Sequence, residues 1–253
     1  MDIRVLGCSG GEQPGRRLTA FLINGHVLLD AGAATGALSL DEQARLRAVL
    51  LSHSHLDHVV GLAFLGDNLA VKNRTAPISV FSIPPVLEVL REHFFNNLLW
   101  PDFTALPSRA QPVFQLSPLQ EGAETEIEGL MVTAVSVDHT LPAVGYLIRD
   151  RSGAVLYSGD TGPTEKLWSL ARGCKDLKAV IVETSFPDRL ESLARQSGHL
   201  TPGMLKQELA KLSREVPVFI THLKPPFLAE IRKEIQSARA DLILLEDGQT
   251  YSF

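Results

Sequence analysis

Apolar positions in this chain fall into short runs, and the spacing within each run changes along the sequence. Residues 2–7 and 18–24 read as strands, and Asn24-Gly25 is a hairpin turn into Val27-Leu28-Leu29-Asp30-Ala31-Gly32. Leu38 to Leu46 carries a helical pattern, with Asp41 and Glu42 early and Arg45 and Arg47 late, the arrangement that the helix dipole favours. Arg47-Ala48-Val49-Leu50-Leu51-Ser52 predicts a buried strand, and Val59-Val60-Gly61-Leu62-Ala63-Phe64-Leu65 then starts a helix. Ile78-Ser79-Val80-Phe81 is a further short strand. Pro84-Pro85 opens a helix that carries His93-Phe94-Phe95 and Leu98-Leu99-Trp100 and ends at Pro101.

From residue 124 to 159 the pattern is strand throughout, with runs at 129–137, 144–149 and 154–157, the last two forming a hairpin around Asp150-Arg151-Ser152-Gly153. A short helix at 164–172 and a buried strand at 178–182 follow, then a polar helix or loop. Thr201-Pro202 starts a helix with an N-cap hydroxyl and a proline at the first helical position, and Met204, Leu205, Leu209 and Leu212 form its apolar stripe. A strand at 217–220, a helix from about Leu228 to Ala238 and two closing strands complete the chain. This order predicts an α/β (α+β) protein with two sheets flanked by helices. No repeat or linker interrupts residues 1–253, so one domain is expected, with an aromatic, proline-rich insertion at about 84–112.

A chain of 253 residues supports a substantial core. No apolar run approaches the ~20 residues of a membrane span, and the N-terminus enters a strand pattern directly. No membrane partner and no signal peptide are therefore expected. Cys8 and Cys174 make a disulfide framework improbable and point to a reducing cytoplasm. A net charge of −5 argues against a long nucleic-acid partner but not against a small phosphorylated substrate. In residues 84–112, Trp100 or Phe103 can stack on a flat substrate group. Alternatively the stretch is a homodimer interface or a satellite core, since aromatic stripes usually pack. Gly7-Cys8-Ser9-Gly10-Gly11 can cradle a phosphate or be a plain loop.

The chemistry gathers where strands end. His53-Ser54-His55-Leu56-Asp57-His58 puts three imidazoles and a carboxylate between a strand and a helix, and His139, Asp160 and His222 each stand just past another strand. Imidazole and carboxylate suit zinc and similar divalent ions. Seven candidates are too many for one tetrahedral ion and right for two ions sharing a carboxylate. His93 has no companion ligand beside it and is not counted among them.

His-x-His-x-Asp-His resembles the signature of the metallo-β-lactamase superfamily. The resemblance implies an αββα sandwich. It assigns His53, His55 and His139 to one metal, Asp57, His58 and His222 to the other, and Asp160 to the bridge. It places Asp30 beneath the site, orienting a ligand histidine. A bridging aspartate points to the phosphodiesterase and thioesterase branches. Glu183-Thr184-Ser185-Phe186 and Gly198-His199-Leu200-Thr201 resemble the segments that supply a proton in tRNase Z-type enzymes, with His199 as donor and Glu183 holding it. The run from His53 to Leu62, with Glu183 to Pro187, Gly198 to Pro202 and Thr221 to Pro225, is similar to class II 3′,5′-cyclic-nucleotide phosphodiesterases. The implied enzyme uses two divalent ions, zinc by default with manganese or iron as alternatives, to hydrolyse cAMP or cGMP to a 5′-monophosphate. His199, Glu183 and Asp57 would be catalytic, and Lys224 would meet the phosphate. The alternatives are a tRNase Z-like nuclease, a glyoxalase II-like thioesterase and a metal-binding regulatory protein without turnover.

Overall fold

The computed structural model describes residues 1–72, 76–238 and 241–253. The first half of the chain supplies β1 (Asp2–Gly7), β2 (Ala20–Ile23), β3 (Val27–Leu29), α1 (Ala34–Ala37), α2 (Leu40–Arg45), β4 (Ala48–Leu50), α3 (Leu56–Val59) and α4 (Gly61–Ala70). It continues with β5 (Ile78–Ser82), α5 (Pro84–Val89), the small pair β6 (Pro107–Ser108) and β7 (Gln111–Pro112), and β8 (Phe114–Pro118). The second half supplies β9 (Glu124–Ile127), β10 (Leu130–Ser136), β11 (Val144–Arg149), β12 (Ala154–Tyr157), α6 (Lys166–Gly173) and β13 (Leu177–Glu183). After these come α7 (Glu191–Gln196), α8 (Pro202–Leu209), β14 (Val218–Thr221), α9 (Leu228–Ala238), β15 (Ile243–Leu244) and β16 (Thr250–Ser252).

Among the described residues the strands form two mixed sheets, ordered β16-β1-β2-β3-β4-β5-β8 and β15-β14-β13-β12-β11-β10-β9. Alternation along the second sheet explains the layering. Ala179 and Ile181 of β13, Val155 and Tyr157 of β12 and Phe219 of β14 face an apolar layer shared with the first sheet. Val180, Val182, Ala154, Leu156, Val218 and Ile220 face a second layer with Leu167 and Trp168 of α6, Leu205 of α8 and Ile231 of α9. Both faces are covered, so these strands read as nearly unbroken apolar runs. The result is the expected αββα sandwich.

Strands β3 and β4 are parallel, as are β12, β13 and β14, and β10 runs in the direction of β12 because β11 is antiparallel to both. The carboxyl ends of these strands meet at one rim of the sandwich. The Val144 amide donates to the Ser52 carbonyl at 2.9 Å, and the Tyr146 hydroxyl donates to the Leu51 carbonyl at 2.7 Å, joining the two sheets there. Thr201 caps α8 by accepting from the Met204 amide at 3.3 Å. No helix among the described residues is long and apolar enough to cross a membrane.

The helix expected from residue 84 to residue 100 is shorter than its pattern suggests. It continues past α5 as a wide turn, Leu90–Phe94, and stops. Asn96 Oδ1 accepts from the amides of Leu98 and Leu99 at 3.0 and 2.8 Å, and Asn97 takes φ 60°, so local side-chain bonds replace the helical ladder. Phe103 is also not a substrate wall. It is buried with Phe95 and Phe114, and its ring lies so close to Gly66 of α4 that a Cβ there would meet it at 2.1 Å. Trp100 packs edge-on against Phe64 and donates its indole N–H to the Ala63 carbonyl at 3.1 Å. Phe94, Phe95 and Phe103 are thus part of the main core, not of a satellite one.

Candidate metal centre

Each polar residue singled out past a strand end arrives at the same rim. His53 and His55 lie in the turn between β4 and α3, and Asp57 and His58 in the first turn of α3. His139 follows β10, Asp160 follows β12, Glu183 ends β13, and His222 follows β14. Short strands backed by a buried core hold these turns in place, while the turns themselves stay free to carry polar groups.

Two sets of donor atoms converge. In the first, His55 Nδ1 stands 3.1 Å from His53 Nε2 and 3.1 Å from His139 Nε2, and Asp160 Oδ2 lies 3.6 Å from His53 Nε2. In the second, His222 Nε2 lies 3.2 Å from Asp57 Oδ2, 3.2 Å from Asp160 Oδ2 and 3.3 Å from His58 Nε2. His58 Nε2 is 3.4 Å from the same Asp160 oxygen. Ligands about 2.0–2.1 Å from a tetrahedral ion stand roughly 3.3–3.4 Å apart, so these spacings are those of ligand edges. Asp160 Oδ2 belongs to both sets, and its other oxygen, Oδ1, is buried with no hydrogen-bond partner. An orphaned buried carboxylate oxygen is costly unless a cation faces it. The donor set therefore fits divalent metal.

Beneath the donors lies a second layer of hydrogen bonds. Asp30 Oδ2 faces His58 Nδ1 at 2.8 Å and accepts from the Tyr157 hydroxyl at 2.7 Å, while Asp30 Oδ1 accepts from the Ser52 amide at 2.8 Å. Ser52 Oγ also meets His53 Nδ1 at 3.0 Å. The Gly198 carbonyl meets His139 Nδ1 at 2.9 Å, and Ser185 Oγ meets His222 Nδ1 at 2.9 Å. Bonds of this kind fix the tautomer and ring plane of a ligating histidine. Asp30 and His222 both adopt positive φ, 53° and 65°, a conformation that non-glycine residues keep only where their surroundings enforce it. Gly10 lies against the His222 ring, and a Cβ there would meet it at 2.6 Å. In this glycine turn the amides of Ser9 and Gly10 are bonded to the carbonyls of Arg17 and Leu223, which favours the plain-loop alternative.

Burial and neighbouring charges shift the donor groups in both directions. Burial, and then the charge of His58, hold His53 well below the ordinary histidine range, so it is neutral as a ligand must be. Burial likewise lowers His55 and His139. For His58 burial opposes charging, but Asp160 and Asp30 override it and raise its pKa well above the usual value. Burial works against the Asp160 carboxylate, yet His222 and His58 keep it ionised.

Beside this centre stands a separate pair. His199 Nδ1 bonds Glu183 Oε1 at 2.7 Å, and that oxygen also accepts from the Thr161 amide at 3.1 Å. The His199 ring lies 5.2 Å from that of His139 and stacks 5.5 Å from that of His222. Burial lowers the His199 pKa, but the charge and hydrogen bond of Glu183 and the charge of Asp160 together outweigh it, and the net shift is upward. Lys224 extends over the Phe186 ring at 5.5 Å and donates to the Gly10 carbonyl at 3.2 Å. Phe186 in turn packs 5.7 Å from His199. Trp100 is held against α4 instead, and no contact joins it to the donor atoms.

A family model described as a beta-lactamase superfamily domain matches residues 26–222, which contain both donor sets. The chain belongs to this superfamily. Relatives within it include a probable 3′,5′-cyclic-nucleotide phosphodiesterase from Yersinia pestis, 29% identical, with 100% of this chain and 89% of that protein covered. A ribonuclease Z from Archaeoglobus fulgidus is 25% identical over 85% of this chain and 81% of its own length. The structure of unliganded yeast PDE1 superposes with a TM-score of 0.83 at 20% identity, covering 98% of each chain, which establishes the shared fold. As a superfamily member with phosphodiesterase relatives, the chain is a metal-dependent hydrolase.

Ser52, Tyr157 and Ser185 belong to no ligand pattern in the sequence, although all three bond directly to site residues. Ser52 ends a strand run and Tyr157 lies in an apolar one, so neither interrupts the pattern. Ser185 lies inside the Glu183-to-Phe186 segment, the one signal that could have led to it.

Proposed function

We propose that this chain is a dinuclear metal phosphodiesterase that opens 3′,5′-cyclic nucleotides to 5′-monophosphates. The observation that carries the reading is the pairing of two donor sets that share Asp160 with an adjacent His199–Glu183 pair. His53, His55, His139 and Asp160 would hold one ion, and Asp57, His58, His222 and Asp160 the other, with zinc the first choice for this donor chemistry. Two bound ions supply positive charge for phosphoryl oxygens and acidify a water for attack.

The chain's own residues do the rest. A leaving alkoxide needs a proton. His199 can give one from Nε2, because Nδ1 is held by Glu183, whose charge favours the protonated ring. Lys224, half-buried beside this pair, would meet a phosphate oxygen once it leaves the Gly10 carbonyl. The relatives named as cyclic-nucleotide phosphodiesterases support this substrate class. Those named ribonuclease Z support a second reading, cleavage of precursor tRNA, because the same donors and the same acid would serve it.

Turnover of cAMP, cGMP, precursor tRNA and a thioester by zinc-loaded protein ranks these readings. Preference for the cyclic nucleotides is expected, and preference for precursor tRNA would transfer the assignment to the nuclease. His199→Ala should retain both ions and lose about 10²-fold or more in cAMP turnover, the usual range for a general acid. Loss of metal from that variant would contradict the donor role.

A further inference from the structure

Ser185 is fully buried, and its hydroxyl sits between the two halves of the site. Its Oγ lies 2.9 Å from His222 Nδ1, 2.9 Å from Glu183 Oε2, 3.2 Å from His199 Nδ1 and 3.2 Å from the His222 carbonyl. One hydroxyl has a single proton to give and lone pairs to accept with. The charges around it settle the directions. His222 Nε2 faces the Asp57 and Asp160 carboxylates and would be the ion-facing nitrogen, so the ring proton is on Nδ1 and is donated to Ser185 Oγ. The carboxylate of Glu183 can only accept, so Ser185 donates to its Oε2. Glu183 Oε1 accepts from His199 Nδ1.

We infer that Ser185 is a positioning residue that ties the ion-facing His222 to the proton donor His199 through Glu183. The chain of bonds runs from His222 to Ser185 to Glu183, with His199 meeting Glu183 from the other side. Without the hydroxyl, His222 Nδ1–H loses its side-chain acceptor and Glu183 Oε2 loses its donor. The space vacated is that of one oxygen atom in a buried, packed site, too small for a water to take its place. The His222 ring and the carboxylate that holds His199 are then each less firmly fixed, and each matters for a different step: His222 for holding an ion, Glu183 for aiming the proton of His199.

This inference rests on the phosphodiesterase reading for its kinetic arm alone. In the first arm, zinc affinity of Ser185→Ala and Ser185→Thr is measured by competition with a chromophoric chelator. Ser185→Ala is expected to bind its weaker zinc about tenfold or more less tightly, the range seen when such supporting bonds are removed, and Ser185→Thr, which keeps the hydroxyl, to stay near wild type. In the second arm, turnover at saturating zinc is compared for cAMP, with a poor alkoxide leaving group, and bis(para-nitrophenyl) phosphate, with a good one. Ser185→Ala should lose about 10²-fold on cAMP and far less on the aryl ester, because only the alkoxide needs a well-aimed proton. Wild-type zinc affinity in Ser185→Ala, or equal losses on both esters, overturns the assignment. Wild-type protein inert toward both esters overturns the phosphodiesterase reading instead, and the zinc arm still decides the role of Ser185.

Discussion

Glu183 sets the charge on His199, and the sign of its effect can be read in a pH profile. Burial alone would keep the imidazole neutral, but the carboxylate at 2.7 Å raises its pKa above the ordinary value of about 6.5. A general acid must hold its proton, so cAMP turnover should fall as pH rises through that raised value. In Glu183→Gln the charge is gone and burial dominates, so the descending limb should move to lower pH, by about one unit or more. An unshifted limb would show that another group carries the proton. At His58 the raised pKa belongs to a nitrogen that would face an ion, so protons compete with metal there. Metal affinity should therefore weaken as pH falls through that value. Asp30→Asn, which removes a charge 2.8 Å from His58 Nδ1, should weaken zinc binding by about 10- to 100-fold in equilibrium titration.

Several elements behave as their local sequence dictates, and their stability can be changed apart from the site. Helix α2 begins with a capping box in which Ser39 Oγ accepts from the Glu42 amide at 3.3 Å and Glu42 Oε2 accepts from the Ser39 amide at 2.8 Å. Ser39→Ala should cost about 1 kcal/mol in denaturant unfolding and leave turnover as it is. Gly66 of α4 has no space for a methyl group against Phe103, so Gly66→Ala should destabilise by about 1–3 kcal/mol through displacement of that ring. The start of α8 was legible because Thr201 and Pro202 cap it within three residues. The end of the helix after Pro84 was not. Its apolar pattern continues through Trp100, but Asn96 captures the next amides and the phenylalanines that follow turn into the core. Periodicity records which residues are apolar, whereas the site of the break depends on what the buried rings find to pack against.

At the scale of the molecule, what could be read in advance was the set of groups at strand ends. His53 to His58 announce themselves by density, and His139, Asp160 and His222 by position, each just past the carboxyl end of an apolar run. Their division between two ions came from resemblance, because chain order does not say which strand ends lie together. The sheet order β14-β13-β12-β11-β10 and the approach of β4 across the sandwich bring them to common points. Residues that act from underneath, Tyr157 and Ser185 above all, were hidden because one lies inside a strand and the other is a serine in a loop. If two ions sharing Asp160 carry out phosphodiester hydrolysis, a zinc titration of the metal-free protein reveals it. Bound zinc and cAMP hydrolysis are followed together as the ion is added. Two ions per chain, 5′-AMP as product and activity that rises with the second equivalent are expected; full activity at one equivalent, or two bound ions with cAMP left intact, would overturn the two-ion mechanism.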